Sequence, residues 1–233
     1  VIVLDNTQRD NDGDPGIHGH GFLDEARWTW LKKELADGDA AGQLMIIAAH
    51  IPIGVEALNS KMEWWDNPLN AVSLEGLVTE LHSHPNFLMW IAGHRHVNAI
   101  KAFPGPTPEQ GFWQVETSSL RDWPQQGRAF EIYLNADYTI SIVATQIDPA
   151  VKEGTPAAIS RSYAIAAQEI TGNESSAIYL NPSQLIDLET QEAVAGTPDP
   201  SIKPLLDTDG QYNAILYKQL SDSMKLKMQT LFP

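Results

Sequence analysis

The chain has no cysteine at all. That excludes disulfides and thiolate metal sites, and it leaves the redox compartment undetermined. Any metal would have to be held by histidine nitrogen and by carboxylate or amide oxygen. Basic residues are scarce: 15 Lys and Arg against 30 Asp and Glu give a net charge of −15 over 233 residues, with no Lys/Arg cluster. A nucleic-acid backbone is gripped by clustered positive charge, so the composition argues against a nucleic-acid scaffold role. A metal-bridged phosphate site stays open, because the ions bring their own charge. Long apolar runs are missing too. The longest, residues 44–55, is broken by His50 and Pro52, and a membrane-spanning helix needs roughly 20 such residues. No signal or transit segment is legible. The opening VIVLDNT lacks an initiator Met and reads as a strand from its first residue. The expectation is therefore a chain entered midway through a fold.

What is present is a strand–helix alternation. Residues 1–4 read as a buried strand followed by a polar loop. Leu23, Ala26, Trp30, Leu31 and Leu35 recur at helical spacing, behind Asp24 and Glu25 at the favourable amino-terminal end. Residues 43–49 form a strongly apolar strand, 70–83 a helix stopped by Pro85, and 87–92 another buried strand. Then VNAIKAF, GFWQVETS, AFEIYLN and YTISIVATQI read as four consecutive strands in an antiparallel run. This order predicts a mixed α/β layered domain. Beyond about residue 149 the composition turns rich in Ala, Pro and Gln, with helix candidates at 156–170 and 212–231.

The chemistry-bearing residues are the histidines. Six of the seven fall in pairs, His18/His20, His82/His84 and His94/His96, and the seventh is His50. His18/His20 lies in a loop dense in Gly and Asp. A calcium loop fails there: Asp10, Asp12 and Asp14 fit, but Pro15 replaces the required Gly and Gly21 the bidentate Glu. A mobile polar loop, or one on the rim of a pocket, remains. His82/His84 ends a predicted helix, where histidines are favoured simply by the carbonyl ends. His94/His96 differs: it follows the buried strand FLMWIA and Gly93, read here as permitting a tight turn. His50 likewise ends LMIIAA before Pro52. Residues at the carboxyl ends of buried strands point into the crevice where α/β proteins place ligands. On the residues alone, metal binding and a structural role stand level.

LMIIAAHIPIG resembles the strand–H-x-P element of the calcineurin-like metallophosphoesterases, and IAGHRHVN resembles their G-H-x-H element. VIVLDNT with GFLDEARWTWLKKEL, LHSHPNFLMWIAGHRH, and ETSSLRDWPQQGRAFEIYLN resemble the neighbouring strands and helices, over about residues 1–148. The resemblance implies part of a four-layer α/β/β/α sandwich, mixed sheets flanked by helices. It implies two metal ions, drawn from Fe, Mn and Zn, that share a carboxylate and a bridging water. His50 and His94 would ligate the second ion and His96 the first. The hydroxide so generated attacks the phosphorus of a mono- or diester in line. Arg95, between the ligands, is expected to point the opposite way along an extended segment. His18, His20 and Arg95 are candidates for the substrate rim, and Trp64 and Trp65 could stack a base or cover an apolar alcohol.

The resemblance is incomplete. The family's D-x-H, G-D-x-x-D and G-N-H-[DE] motifs are found nowhere in the chain, and with them the bridging Asp and the general-acid His. The chain is thus expected to be the carboxyl-terminal half of such an enzyme, inactive by itself and weakly metallated. Its partner would be the missing upstream segment, or a second copy covering the exposed apolar face. Residues 149–233 are expected to form an extension that packs on the core, resembling one found in a bacterial subgroup of the family. A non-catalytic module that kept the fold, and a mononuclear zinc hydrolase using His50, His94 and His96, are the competing readings.

Overall fold

A computed structural model describes residues 1–7, 20–53, 65, 69–96, 98–121, 125–173 and 213–233. Among the described residues, eight strands and four α-helices follow one another: β1 (Ile2–Leu4), α1 (Glu25–Ala40), β2 (Met45–Ala49), α2 (Leu74–His82), β3 (Phe87–Ala92), β4 (Ala99–Phe103), β5 (Phe112–Glu116), β6 (Gly127–Leu134), β7 (Ile140–Ile147), α3 (Pro156–Asn173), β8 (Ala214–Lys218) and α4 (Asp222–Leu231). The predicted mixed α/β class is what is seen. β1, β2, β3 and β5 run parallel in a five-stranded sheet of order β1-β2-β3-β5-β4, and β6, β7 and β8 form an antiparallel sheet.

The helix α1 starts where Asp24 caps it, its carboxylate accepting from the Arg27 backbone N–H at 2.8 Å. Its buried face is Trp28, Leu31, Leu35 and Gly38. Trp30, expected inside, is 40% exposed. The helix also outlasts its predicted end, because Gly38 lies against β2: a Cβ there would stand 2.2 Å from Met45 Sδ. In α2, Ser73 caps the Gly76 backbone N–H, and Leu77 and Leu81 are buried. Both helices cover one face of the five-stranded sheet, in a core with Ile47, Phe87 and Trp90. The second core lies between the sheets, where Leu88, Met89 and Val115 meet Ile140, Ile142 and Leu216.

Two expectations about strand order fail. The stretch after Gly93 is not one antiparallel run: β5 pairs with β3 in parallel, and β4 is displaced to the edge, antiparallel to β5. Burial explains this. Phe112, Gln114, Val115 and Glu116 are all buried in β5, whereas β4 carries Lys101 and buries none of its residues. The helix candidate at 212–231 is really a strand and a helix. In β8 only Leu216 and Lys218 are buried, a period of two that suits the free edge of β7. Ser221 then caps α4, accepting from the Met224 backbone N–H. Residues 214–218 thus belong to the second sheet. Among the described residues no helix is long and apolar enough to cross a membrane.

Candidate metal centre at the strand ends

The parallel strands end together, and the segments that leave them are tied to one another. After β1, the Asn6 side chain grips the backbone of Ile51 on both sides, donating to its carbonyl at 2.8 Å and accepting from its N–H at 3.0 Å. The Trp90 indole donates to the same carbonyl at 3.3 Å. The Gln114 side chain accepts from the Ile53 N–H at 2.7 Å. The stretch Ile51-Pro52-Ile53 is therefore buried and fixed, and His50 is held at the lip of the crevice. From β3, the Gly93 N–H donates to the His50 carbonyl at 3.0 Å, and the Thr117 N–H donates to Ala92 at 2.8 Å.

Here the structure brings His50 and His94 together. Nε2 of His50 and Nδ1 of His94 are 3.2 Å apart, with the rings edge to face at 77°. Two nitrogens that share one ion at about 2.0–2.1 Å each are separated by roughly 3.0–3.4 Å, so the spacing fits a common ligand as well as a hydrogen bond. His50 is held below its ordinary pKa, first by burial and then by the charge of His96. A lowered pKa keeps the His50 imidazole neutral at pH 7, the form that ligates a metal. Among the described residues, however, no three His, Asp or Glu side chains gather as an ion-holding set. The donor set fits part of a metal site, and a three-histidine zinc centre is not formed.

The loop that carries these rings is not extended. His94 and His96 both adopt the left-handed region, with φ of 77° and 58°. Such conformations are uncommon outside glycine and persist only where surroundings over-determine them. Gly93 has no positive φ, so the tight turn assigned to it is made by the histidines instead. What holds the turn is Arg95. Its Nε and terminal nitrogen donate to the two carboxylate oxygens of Glu116, at 2.7 and 2.5 Å. The side chains are 11% and 2% exposed. Arg95, an expected rim residue, turns inward to a buried bidentate pair. Burial pushes the Glu116 carboxyl up, against the pull of the Arg95 guanidinium.

Of the other candidates, His20 is half-buried in the segment that leads to α1, and Trp65 is buried, its indole donating to the Val72 carbonyl at 3.2 Å. His18 and Trp64 lie outside the described residues. His82 and His84 are engaged in packing: His82 sits against Phe112 with its ring 3.4 Å from the Phe103 carbonyl, and His84 meets Asp39 at 2.6 Å. Sequence reasoning missed Asn6, Gln114 and Glu116. For Asn6 and Glu116 the signal was a polar residue at or just past the end of a strand; Gln114 lies in the middle of β5, where a buried amide carries no such mark.

No family model matches the chain, and no curated protein does. Among solved structures, part of the fold is similar to a dimetal phosphatase from Danio rerio, with a TM-score of 0.37 and 23% identity. The match covers 55% of this chain and 36% of the other, so this chain spans about a third of that phosphatase's length.

Proposed function

We propose that the crevice is part of a metal-dependent phosphoesterase site acting on a phosphomono- or diester, within a sandwich of the metallophosphoesterase kind. The observation that carries the reading is the approach of His50 Nε2 to His94 Nδ1 at 3.2 Å, from two strand ends with A-H-x-P and G-H-x-H sequences. His50 and His94 would hold one ion and His96 another, with further carboxylate, imidazole and amide ligands completing both. Two such ions, Fe, Mn or Zn, supply Lewis acidity toward the phosphoryl oxygens and a hydroxide at neutral pH. The chain's own part is positional. Asn6 and the strand ends fix His50, and the Arg95–Glu116 pair fixes the turn that aims His94 and His96.

Metal content and hydrolysis of 4-nitrophenyl phosphate and bis(4-nitrophenyl) phosphate, measured on the full-length protein loaded with Mn or Zn, test the reading. His94→Ala and His96→Ala should each lower metal-stimulated turnover by at least about a thousandfold, roughly 4 kcal/mol of barrier. Turnover that survives in both variants, or protein that takes up no metal, removes the assignment. A non-catalytic module would bind metal or phosphate without turnover.

A further inference from the structure

The end of the five-stranded sheet opposite the histidines also has a site. A cavity of about 510 Å3 opens there between the β4–β5 hairpin and β8, walled by Phe103, Pro106, Pro108, Trp113, Tyr217 and Lys218. In register, Phe103 faces Phe112 at this end, whereas Ala99 faces Glu116 at the histidine end. The walls are mostly apolar, and Lys218 is the one cation among the residues that line them.

Lys218 is only 2% exposed. Its ammonium donates to the backbone carbonyls of Glu109 and Gly111. An ammonium has three donors, so one is left over. No carboxylate of the described residues forms an ion pair with it. A buried charge without a counterion costs several kcal/mol, and a methionine of similar volume would avoid that cost. Burial accordingly pulls the lysine down to about 8, against the opposing charge of the Glu109 carboxylate. The walls are preorganised: the Trp113 indole is pinned by donation to the Tyr217 carbonyl at 2.9 Å.

We propose that this cavity binds a small aromatic monocarboxylic acid, its carboxylate on Lys218 Nζ and its ring against Trp113 and Tyr217. One spare donor suits one carboxylate oxygen, while a phosphate dianion would need several donors. The aromatic and proline walls favour a flat apolar body, and the volume is within the usual range for small-molecule sites. The site is independent of the histidines and of any metal there.

2-Naphthoate is the probe, followed at pH 7 by tryptophan fluorescence on the 233-residue chain, with uncharged 2-naphthalenemethanol as control. Saturable binding of the acid, at least tenfold tighter than the alcohol, is expected. Lys218→Met should abolish that preference while leaving the alcohol's binding unchanged. Trp113→Leu should weaken both compounds, and it supplies the decision should Lys218→Met not fold. The proposal is overturned by absence of saturable naphthoate binding in the unaltered chain. It is equally overturned by an acid-over-alcohol preference that persists in Lys218→Met, or by affinities that Trp113→Leu leaves untouched.

Discussion

The two ends of the five-stranded sheet solve opposite problems with buried charge. At the carboxyl ends of β3 and β5, the Arg95 guanidinium meets both oxygens of Glu116, so each buried charge has its counterion. At the other end, Lys218 is as buried as Glu116, each 2% exposed, yet it rests on two carbonyls. The first arrangement holds strained backbone in place. The second leaves a cation under-compensated beside a cavity. Position in a sheet therefore does not by itself tell a scaffold charge from a ligand-seeking one; the counterion does.

The largest expected stability effect breaks the compensated end. Glu116→Ala leaves Arg95 buried and unpaired, which costs about 3–5 kcal/mol. Urea denaturation should show that loss. Glu116→Gln keeps an acceptor but removes the charge, and is expected to fall between the two. A Glu116→Ala variant as stable as the parent would show that the pair does not hold the turn.

At the under-compensated end the effect is a pH dependence of about 3 kcal/mol. Lys218 has a folded pKa of about 8 in place of 10.5, so between those values the folded chain binds fewer protons than the unfolded one. Stability therefore rises with pH across this window, and the cost of burial is fully present below it. Denaturation at pH 7.5 and pH 10 should show the rise in the parent relative to Lys218→Met. Equal slopes in the two would mean that Lys218 is not desolvated as the structure has it.

The same contrast governs what could be read from sequence. Strands β1, β2 and β3 are legible as apolar runs, β4 to β7 as successive strand-like segments, and His50 and His94 as residues just past apolar runs, because these signals are local. The neighbours of a strand are not local. That β5 enters the parallel sheet inside β4 depends on which strand can be buried on both faces, a comparison of β4 with β5 that neither segment states alone. Lys218 is illegible for a further reason: ILYK lies within the helix candidate at 212–231, and the strand ends before the cap at Ser221. Its carbonyl partners, Glu109 and Gly111, are more than a hundred residues away. Glu116 was visible as a charge at a strand end, but its pairing with Arg95 required the left-handed turn.

The smallest effect has the opposite sign and separates motif from geometry. In G-H-R-H the glycine looks like the residue that the turn demands. The structure puts the positive φ on His94 and His96, at 77° and 58°, and gives Gly93 none. A Cβ on Gly93 would come no closer than 3.8 Å to the Thr117 carbonyl oxygen and 4.0 Å to His50 Nδ1, which is ordinary contact. Alanine restricts the unfolded chain more than glycine does, so Gly93→Ala should stabilise the protein by up to about 0.5–1 kcal/mol. His96→Gly relieves a strained position but loosens the unfolded chain by a similar amount, so it should leave stability nearly unchanged, at the expense of metal uptake. Thermal melts of the two variants beside the parent decide this. A Gly93→Ala variant that loses more than about 1 kcal/mol would mean that the glycine, and not the two histidines with their Arg95–Glu116 brace, makes the turn.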